Sequence, residues 1–370
     1  MKSSINNKLL IVGSFPLKNS NIFGGIAKSC KILINSNYFE NFKILKLDSS
    51  QISNPKPILF VRFYNAIKRI IKISYIHFTD RPHVVLIFCS DGLSAIEKGL
   101  MIFLSKLYGS KVLIFPRAGK LIEQSESNKT FNNLLKTMFS KADIFLAQGE
   151  KWKKFANDLL DISNDKIKII NNWTATEELL NLGANKLIRN KSNLKILYIG
   201  WLEKEKGINE LIHAIRALIH KKYKIELILI GDGSIRNKIE KFIAKNQINE
   251  YIKLKGWLKS KEIKNYLKEA DIFILPSWQE GMPNSLIEAV SSGIPSIVSS
   301  VGVIPNYFRH LENILLIEPK NITNLQESIE VLINDYDLRK KLSHNGVLTA
   351  KNFFSEEKSL KYLSKIIKHL

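Results

Sequence analysis

Apolar positions fall into short, nearly unbroken runs separated by longer stretches of helical spacing. In the first half the runs are Lys8–Val12, Phe42–Leu47, Val84–Phe88, Lys111–Phe115, Ile144–Ala147 and Ile167–Ile170. In the second half they are Lys195–Ile199, Ile225–Ile230, Ile252–Leu254, Ile272–Leu275, Ser296–Val298 and Ile314–Leu316. Between them Asn209–His220, Ile235–Asn246, Ser260–Glu269 and Asn324–Asn334 place apolar residues at helical intervals. Strand-like runs alternating with helices predict an α/β fold with parallel sheets. Six strands in each half predict two Rossmann-like, doubly wound domains. The boundary is expected in Asn171–Asn193, which is polar and shows no strand pattern until Leu194. The expected divisions are 1–175, 190–352 and a terminal amphipathic helix, 353–370, with Leu360, Leu363, Ile366 and Ile367 on one side.

A chain of 370 residues can bury two cores of ordinary size. Leu9–Val12 is too short for the apolar segment of a signal peptide, and no run approaches the roughly 20 apolar residues of a membrane span. A cytoplasmic protein, at most peripheral on the inner membrane face, is expected. Cys30 and Cys89 show no metal or redox spacing and are expected as reduced, buried thiols. The net charge of +22 is spread evenly: residues 1–180 hold 26 basic and 14 acidic side chains, and 181–370 hold 30 and 20. It is carried by 47 Lys and only nine Arg. Phosphate readers cluster arginine with aromatics, so no nucleic-acid partner is expected. Lys56–His77 holds five cations and no acid, with Phe60, Phe63, Tyr64, Ile67, Ile70 and Ile71 at helical spacing. That helix is expected to pack its stripe on the first domain's sheet. Its cationic rim could also rest on an anionic membrane surface.

The chemistry concentrates in Glu280–Gly293. A strand, Asp271–Leu275, leads into a loop holding Glu280, and a helix starts near Asn284, with Pro283 in its first turn and Gly293 as its stop. A helix N-terminus offers free N–H groups and a positive dipole end to phosphate. Glu288 can then reach a ribose while Glu280 meets whatever hangs from the phosphates, as in a nucleotide-sugar site. Gly200–Gly207 follows the first strand of the second half and puts Lys206 at a helix start, suited to a diphosphate. Alone, those residues read better as an ordinary βα loop with solvated lysines; paired with Glu280–Glu288 in the same half, they favour a phosphate contact for Lys206. Gly231-Asp232-Gly233, after the next strand, allows tight turning and close backbone approach. Trp257, after Gly256, could flank a base or simply pack.

In the first half, Phe23-Gly24-Gly25 opens a helix after strand one, where Gly24 and Gly25 could approach a sugar or phosphate across a cleft, or form a plain turn. Arg117 follows the fourth strand and would face the same cleft, or lie on the surface. A retaining glycosidase needs two carboxyls about 5 Å apart. Glu280 and Glu288 stand on a loop and two helical turns along, so they serve different parts of one ligand. The seven histidines show no metal spacing, and neither a metal nor another cofactor is expected.

With these motifs the chain resembles the retaining glycosyltransferases of family 4, which have the GT-B fold. The carriers are Glu280 and Glu288 eight apart after Ala270–Ser277, with Gly24-Gly25, Gly200…Lys206-Gly207, Gly231-Asp232-Gly233 and Ser300–Pro305. The resemblance implies two Rossmann-like domains facing a cleft, with the C-terminal helix crossing back to the first. It implies that Glu288 holds the donor ribose and Glu280 the donor sugar. Asn284, Ser285 and Leu286 would offer amides to the diphosphate, with Lys206 as its cation. It further implies transfer of a hexose from a nucleoside diphosphate, UDP first, to a saccharide, lipid-linked, in synthesis of bacterial surface polysaccharide such as O-antigen or capsule. Trp201 replaces the family's usual arginine, Pro116-Arg117 its frequent histidine, and Asn306 a common acid. Lys204 or Arg117 would supply the missing charge. The alternative is a degenerate, nucleotide-sugar-binding or scaffolding subunit.

Overall fold

The computed structural model describes residues 7–15, 24–50, 57–190 and 193–370. Phe23 and Lys56 lie outside the described residues. All twelve expected strands form within two residues of their expected bounds. In the first half they are β1 (Lys8–Gly13), β2 (Lys43–Asp48), β3 (Val84–Cys89), β4 (Lys111–Pro116), β5 (Ile144–Ala147) and β6 (Ile167–Ile169). In the second they are β7 (Leu194–Ile199), β8 (Ile225–Ile230), β9 (Ile252–Gly256), β10 (Ile272–Leu275), β11 (Ser296–Ser299) and β12 (Leu315–Ile317). Each set makes one parallel sheet, ordered β2-β1-β3-β4-β5-β6 and β12-β11-β10-β7-β8-β9. Strands β3, β5, β10 and β11 are buried at every residue. That is why unbroken apolar runs revealed them: helices cover both faces of such a sheet.

Two compact units result, one of residues 1–173 with 357–370, the other of 174–356. The terminal helix Glu356–Lys368 buries Leu360, Leu363 and Ile367 in the core cluster of the first unit, with Leu9, Ile11, Leu33 and Phe39. Ser364 Oγ ties it by donating to the Tyr38 carbonyl at 2.9 Å. Among the described residues no helix is long and apolar enough to cross a membrane.

One expectation fails. The helix Leu59–Asp80 does not pack its aromatic stripe on the sheet: Phe60 is 77% exposed and Phe63 67%. Its inner face instead carries Arg69, Ile73 and His77, four residues apart, of which Ile73 and His77 are buried. The reason is the neighbouring helix Leu93–Leu107, which presents Glu97. Arg69 donates to Glu97 through Nε at 2.5 Å and Nη2 at 3.2 Å, and Lys98 Nζ reaches the same carboxylate at 2.9 Å. A buried carboxylate needs such partners, and they set the rotation of the helix.

His77 completes this inner face. Ser105 Oγ lies 2.9 Å from its Nε2, and its ring stacks on Tyr108 at 5.1 Å. Burial pulls its pKa from 6.5 down to about 4. The unfolded chain therefore takes up this proton first, so the stabilisation is complete above about pH 6.5 and is lost as pH falls towards 4. Urea unfolding at steps from neutral pH to pH 4 should show stability falling through that window, with a shallower fall in His77→Gln. Equal slopes in the two proteins would assign the acid sensitivity to another group.

Candidate functional site

The second sheet decides where its loops can open. β7 and β10 are neighbours at its centre, in register at Ile196–Ile272 and Leu197–Phe273. From β7 the chain moves outward through β8 and β9; from β10 it moves the other way through β11 and β12. Right-handed crossovers send the two connections to opposite faces, leaving a crevice at the carboxyl ends of the strands. The loops after β7 and β10 flank it.

Those loops touch through their backbones. Lys204–Lys206 forms a single 3-10 turn that ends at Gly207 with φ 70°. A Cβ there would sit 2.0 Å from the Pro276 carbonyl oxygen, so only glycine permits both the conformation and the approach. The Trp278 N–H donates to the Glu205 carbonyl at 2.8 Å and clamps the contact. Lys206 is thereby brought to Glu280, Nζ to Oε1 at 2.6 Å. Ser277 Oγ donates to the same oxygen at 2.8 Å. The two side chains are 25% and 12% exposed, so the pair is accessible yet poorly solvated.

The turn after β8 braces this arrangement. Gly231, at φ 138°, would place a Cβ 1.8 Å from the Gly200 carbonyl oxygen, and Leu202 N–H donates to Asp232 O at 2.9 Å. Tyr198 Oη donates to the Trp201 carbonyl at 2.8 Å. Burial, with the nearby Glu280 and Glu203, pushes its pKa well up, so it stays a neutral donor. Trp201 packs edge-on to Trp257, ring centres 4.7 Å apart. Lys204 stands over the Trp278 ring at 5.5 Å instead of joining Lys206 at the carboxylate.

Beyond Glu280, the helix Asn284–Ser291 begins as expected, except that Pro283 is its cap and not its first residue. A proline side chain cannot accept a hydrogen bond, and no side-chain cap forms. The N–H groups of a first helical turn have no partner inside their own helix, which suits them to an anion. Asn284 and Ser285 are half-buried, Leu286 is fully buried, and Glu288, one turn after Asn284, is only 4% exposed. Lys206, Gly231, Glu280, Asn284, Ser285, Leu286 and Glu288 thus all belong to the second unit. Sequence reasoning misses Ser277 and Tyr198. Ser277, three residues before Glu280 in one loop, carries a local signal; Tyr198 reads only as a strand residue.

Gly24, Gly25 and Arg117 belong to the first unit. Gly24 precedes the helix Gly25–Ile34 in extended conformation, and a Cβ at that position would meet nothing within 4 Å among the described residues. Arg117 is no surface arginine. Its guanidinium lies over Phe115 at 4.8 Å and Trp173 at 5.6 Å, and Nη2 donates to Ser29 Oγ at 3.1 Å. Nη1 is buried with no hydrogen-bond partner among the described residues. Burial lowers the Arg117 pKa to about 10, still cationic at neutral pH. The nearby Cys30 thiol is pushed up to about 12 by burial and stays neutral, so it is no counterion. Among the described residues no group of three His, Cys, Asp or Glu side chains is placed to hold a metal ion.

Residues 184–348 match the family of glycosyl transferases, group 1. The match takes in most of the second unit, which is similar to a group 1 glycosyl transferase domain. The matched span holds every site residue of that unit named above. An uncharacterized glycosyltransferase of Methanocaldococcus jannaschii, MJ1178, is 32% identical over 190 residues, 51% of this chain and 52% of that protein. A putative teichuronic acid biosynthesis glycosyltransferase of Bacillus subtilis, TuaC, is 28% identical over 262 residues, 68% of this chain and 61% of that protein. These alignments span about half to three fifths of the relatives' length. The crystal structure of Anabaena HepE in complex with UDP superposes with a TM-score of 0.72 at 15% identity, over 98% of this chain and 100% of that one. At that identity the likeness establishes the fold, which is GT-B.

The ion pair gives a direct test. Lys206→Met should cost about 1–3 kcal/mol, because Glu280 loses its cation while it stays poorly solvated. Lys206→Met with Glu280→Gln should recover part of that loss, a coupling of about 1 kcal/mol in a double-mutant cycle by urea unfolding. Additive losses would mean that the pair does not form in solution.

Proposed function

We propose that the chain is a retaining hexosyltransferase that uses a nucleoside diphosphate sugar, with UDP as the nucleotide. The carrying observation is the Lys206–Glu280 pair, beside a helix start without a side-chain cap, at the carboxyl ends of β7 and β10. A cation next to the amides of a first helical turn suits a diphosphate. The donor diphosphate replaces Glu280 as the counter-charge of Lys206, with the amides of Asn284, Ser285 and Leu286 on its oxygens. The released Glu280 carboxylate accepts from a hydroxyl of the sugar, and Glu288 accepts from the ribose. Gly231 lets backbone approach the nucleotide. On the first unit, taken by itself, Gly24 and Gly25 allow close backbone approach of a ligand, and Arg117 offers a cation.

In the transfer step the bond from the sugar's C1 to the phosphate oxygen breaks while the acceptor oxygen bonds to C1 on the same face. The acceptor proton passes to the leaving phosphate, so no protein nucleophile is required. Catalysis then consists of positioning and of stabilising the charge that grows on the diphosphate. HepE with bound UDP supports the choice of nucleotide, and TuaC supports an acceptor saccharide of a bacterial surface polymer, which we take to be lipid-linked. Trp201, with its ring against Trp257 where the family usually has arginine, favours the second reading, a nucleotide-sugar-binding subunit without turnover.

Melting temperatures with UDP, GDP, ADP and CMP, for wild type and Glu288→Ala, test the site. A ligand at a hundred times its Kd stabilises the native state by about 2.7 kcal/mol. UDP should raise the wild-type Tm, and Glu288→Ala should abolish the rise. No shift with any nucleotide would overturn the donor site, and a shift without hydrolysis or transfer of UDP-sugars would favour the subunit reading.

A further inference from the structure

The helix Leu59–Asp80 is built the wrong way round for water. It directs Arg69 and His77 inward and leaves Phe60, Phe63, Ile67, Ile71, Tyr75 and Phe78 exposed, between 44% and 77%. A helix of a water-soluble domain does the opposite. The neighbouring helix runs beside it in the same direction, since Arg69 meets Glu97 and His77 meets Ser105, each 28 residues on. It too leaves Leu100, Phe103 and Leu107 exposed. Isolated exposed apolar residues are ordinary; a run along a whole helix, extended by its neighbour, marks an interaction surface.

The charges decide what covers it. Lys68 and Lys72 are exposed and Arg62 half-buried along the same helix, and no acid occurs from Leu59 to Thr79. Lys68 Nζ stands 4.4 Å from the centre of the Tyr64 ring, a cation resting on an aromatic edge of the patch. A second copy of this chain would set these cations against their equivalents, in a protein of net charge +22. An anionic bilayer answers both features at once: the aromatic and aliphatic side chains enter the interface and the lysines meet phosphate headgroups. We propose that the exposed face of Leu59–Asp80, extended by Leu93–Leu107, docks on an anionic lipid surface, with the helix lying in the plane of the interface. The docking rests on this helix pair and not on the donor site, so either can fail alone.

Flotation of the full chain with vesicles tests it, comparing phosphatidylcholine alone with phosphatidylcholine containing phosphatidylglycerol. Wild type should float with the anionic vesicles and not with the neutral ones, and added salt should weaken the binding. Lys68→Glu with Lys72→Glu should weaken it about thirty-fold or more, taking about 1 kcal/mol for each lysine at an anionic surface. Phe63→Ser with Ile67→Ser should abolish it without lowering the Tm, because both side chains are already exposed. Phe63→Trp should gain fluorescence that brominated lipid quenches. The proposal is overturned if wild type stays unbound at low salt. It is equally overturned if wild type sediments as a dimer that Phe63→Ser dissociates, since the face would then belong to a second copy.

Discussion

The contact between Gly207 and the Pro276 carbonyl fixes the geometry on which the second unit's site depends. Two strands at the centre of the sheet must send their chains to opposite faces, so their loops would naturally part. Here glycine lets the backbones meet before they part, and the Trp278–Glu205 hydrogen bond holds them. Lys206 and Glu280, 74 residues apart in sequence, become neighbours as a consequence. A partly buried ion pair adds little net stability, because desolvation offsets much of the attraction. Its importance is positional. Each charge is held out of bulk water at low exposure, with a partner that an incoming anion can displace.

The strands and most helices were legible because a covered parallel sheet writes itself as unbroken apolar runs, and the helices between repeat every three or four residues. Glu280–Gly293 was legible for a local reason as well: strand, loop, acid and helix start follow one another within some twenty residues. What was not legible involved distant partners. Helical spacing in Leu59–Asp80 announced an amphipathic helix but not which face turns inward, since that is set by Glu97 on another helix. The burial of Arg117 depends on Trp173 and Ser29, from two other elements. Nothing near position 117 in the sequence distinguishes a boxed guanidinium from a solvated one. Spacing offers Lys206 and Glu280 only as two separate ligand contacts, because it says nothing of how closely two loops approach.

Three cations show how context assigns different work to similar residues. Arg69 is neutralised by Glu97 and serves the fold. Lys206 is neutralised by Glu280 but remains a quarter exposed, so its partner can be exchanged. Arg117 has no carboxylate among the described residues: aromatic faces and one serine hold it, and one of its nitrogens is buried without a partner there. Burying a charged group in this way is unfavourable unless its remaining donors find an acceptor. Its pKa of about 10 shows the strain of that burial without removing the charge. Of the three, Arg117 is therefore the one whose described surroundings leave a donor without an acceptor.

The inverted helix is the sharper case of the same logic. Rotating Leu59–Asp80 to bury its aromatic stripe would remove about 150–250 Å² of surface for each ring, at roughly 25 cal/mol per Å². Burial alone would favour that rotation. Turning the helix would, against that gain, withdraw Arg69 from Glu97 and leave a carboxylate that is 7% exposed beside Lys98. Removing one member of a buried ionic group costs about 3–5 kcal/mol, and His77 would lose its contact with Ser105 as well. The Arg69–Glu97–Lys98 cluster is thus a rotational lock that offsets the burial of about one ring, not of the whole stripe. A lock that spends polar interactions inside to keep aromatic residues outside makes structural sense only if the outer face meets something other than water.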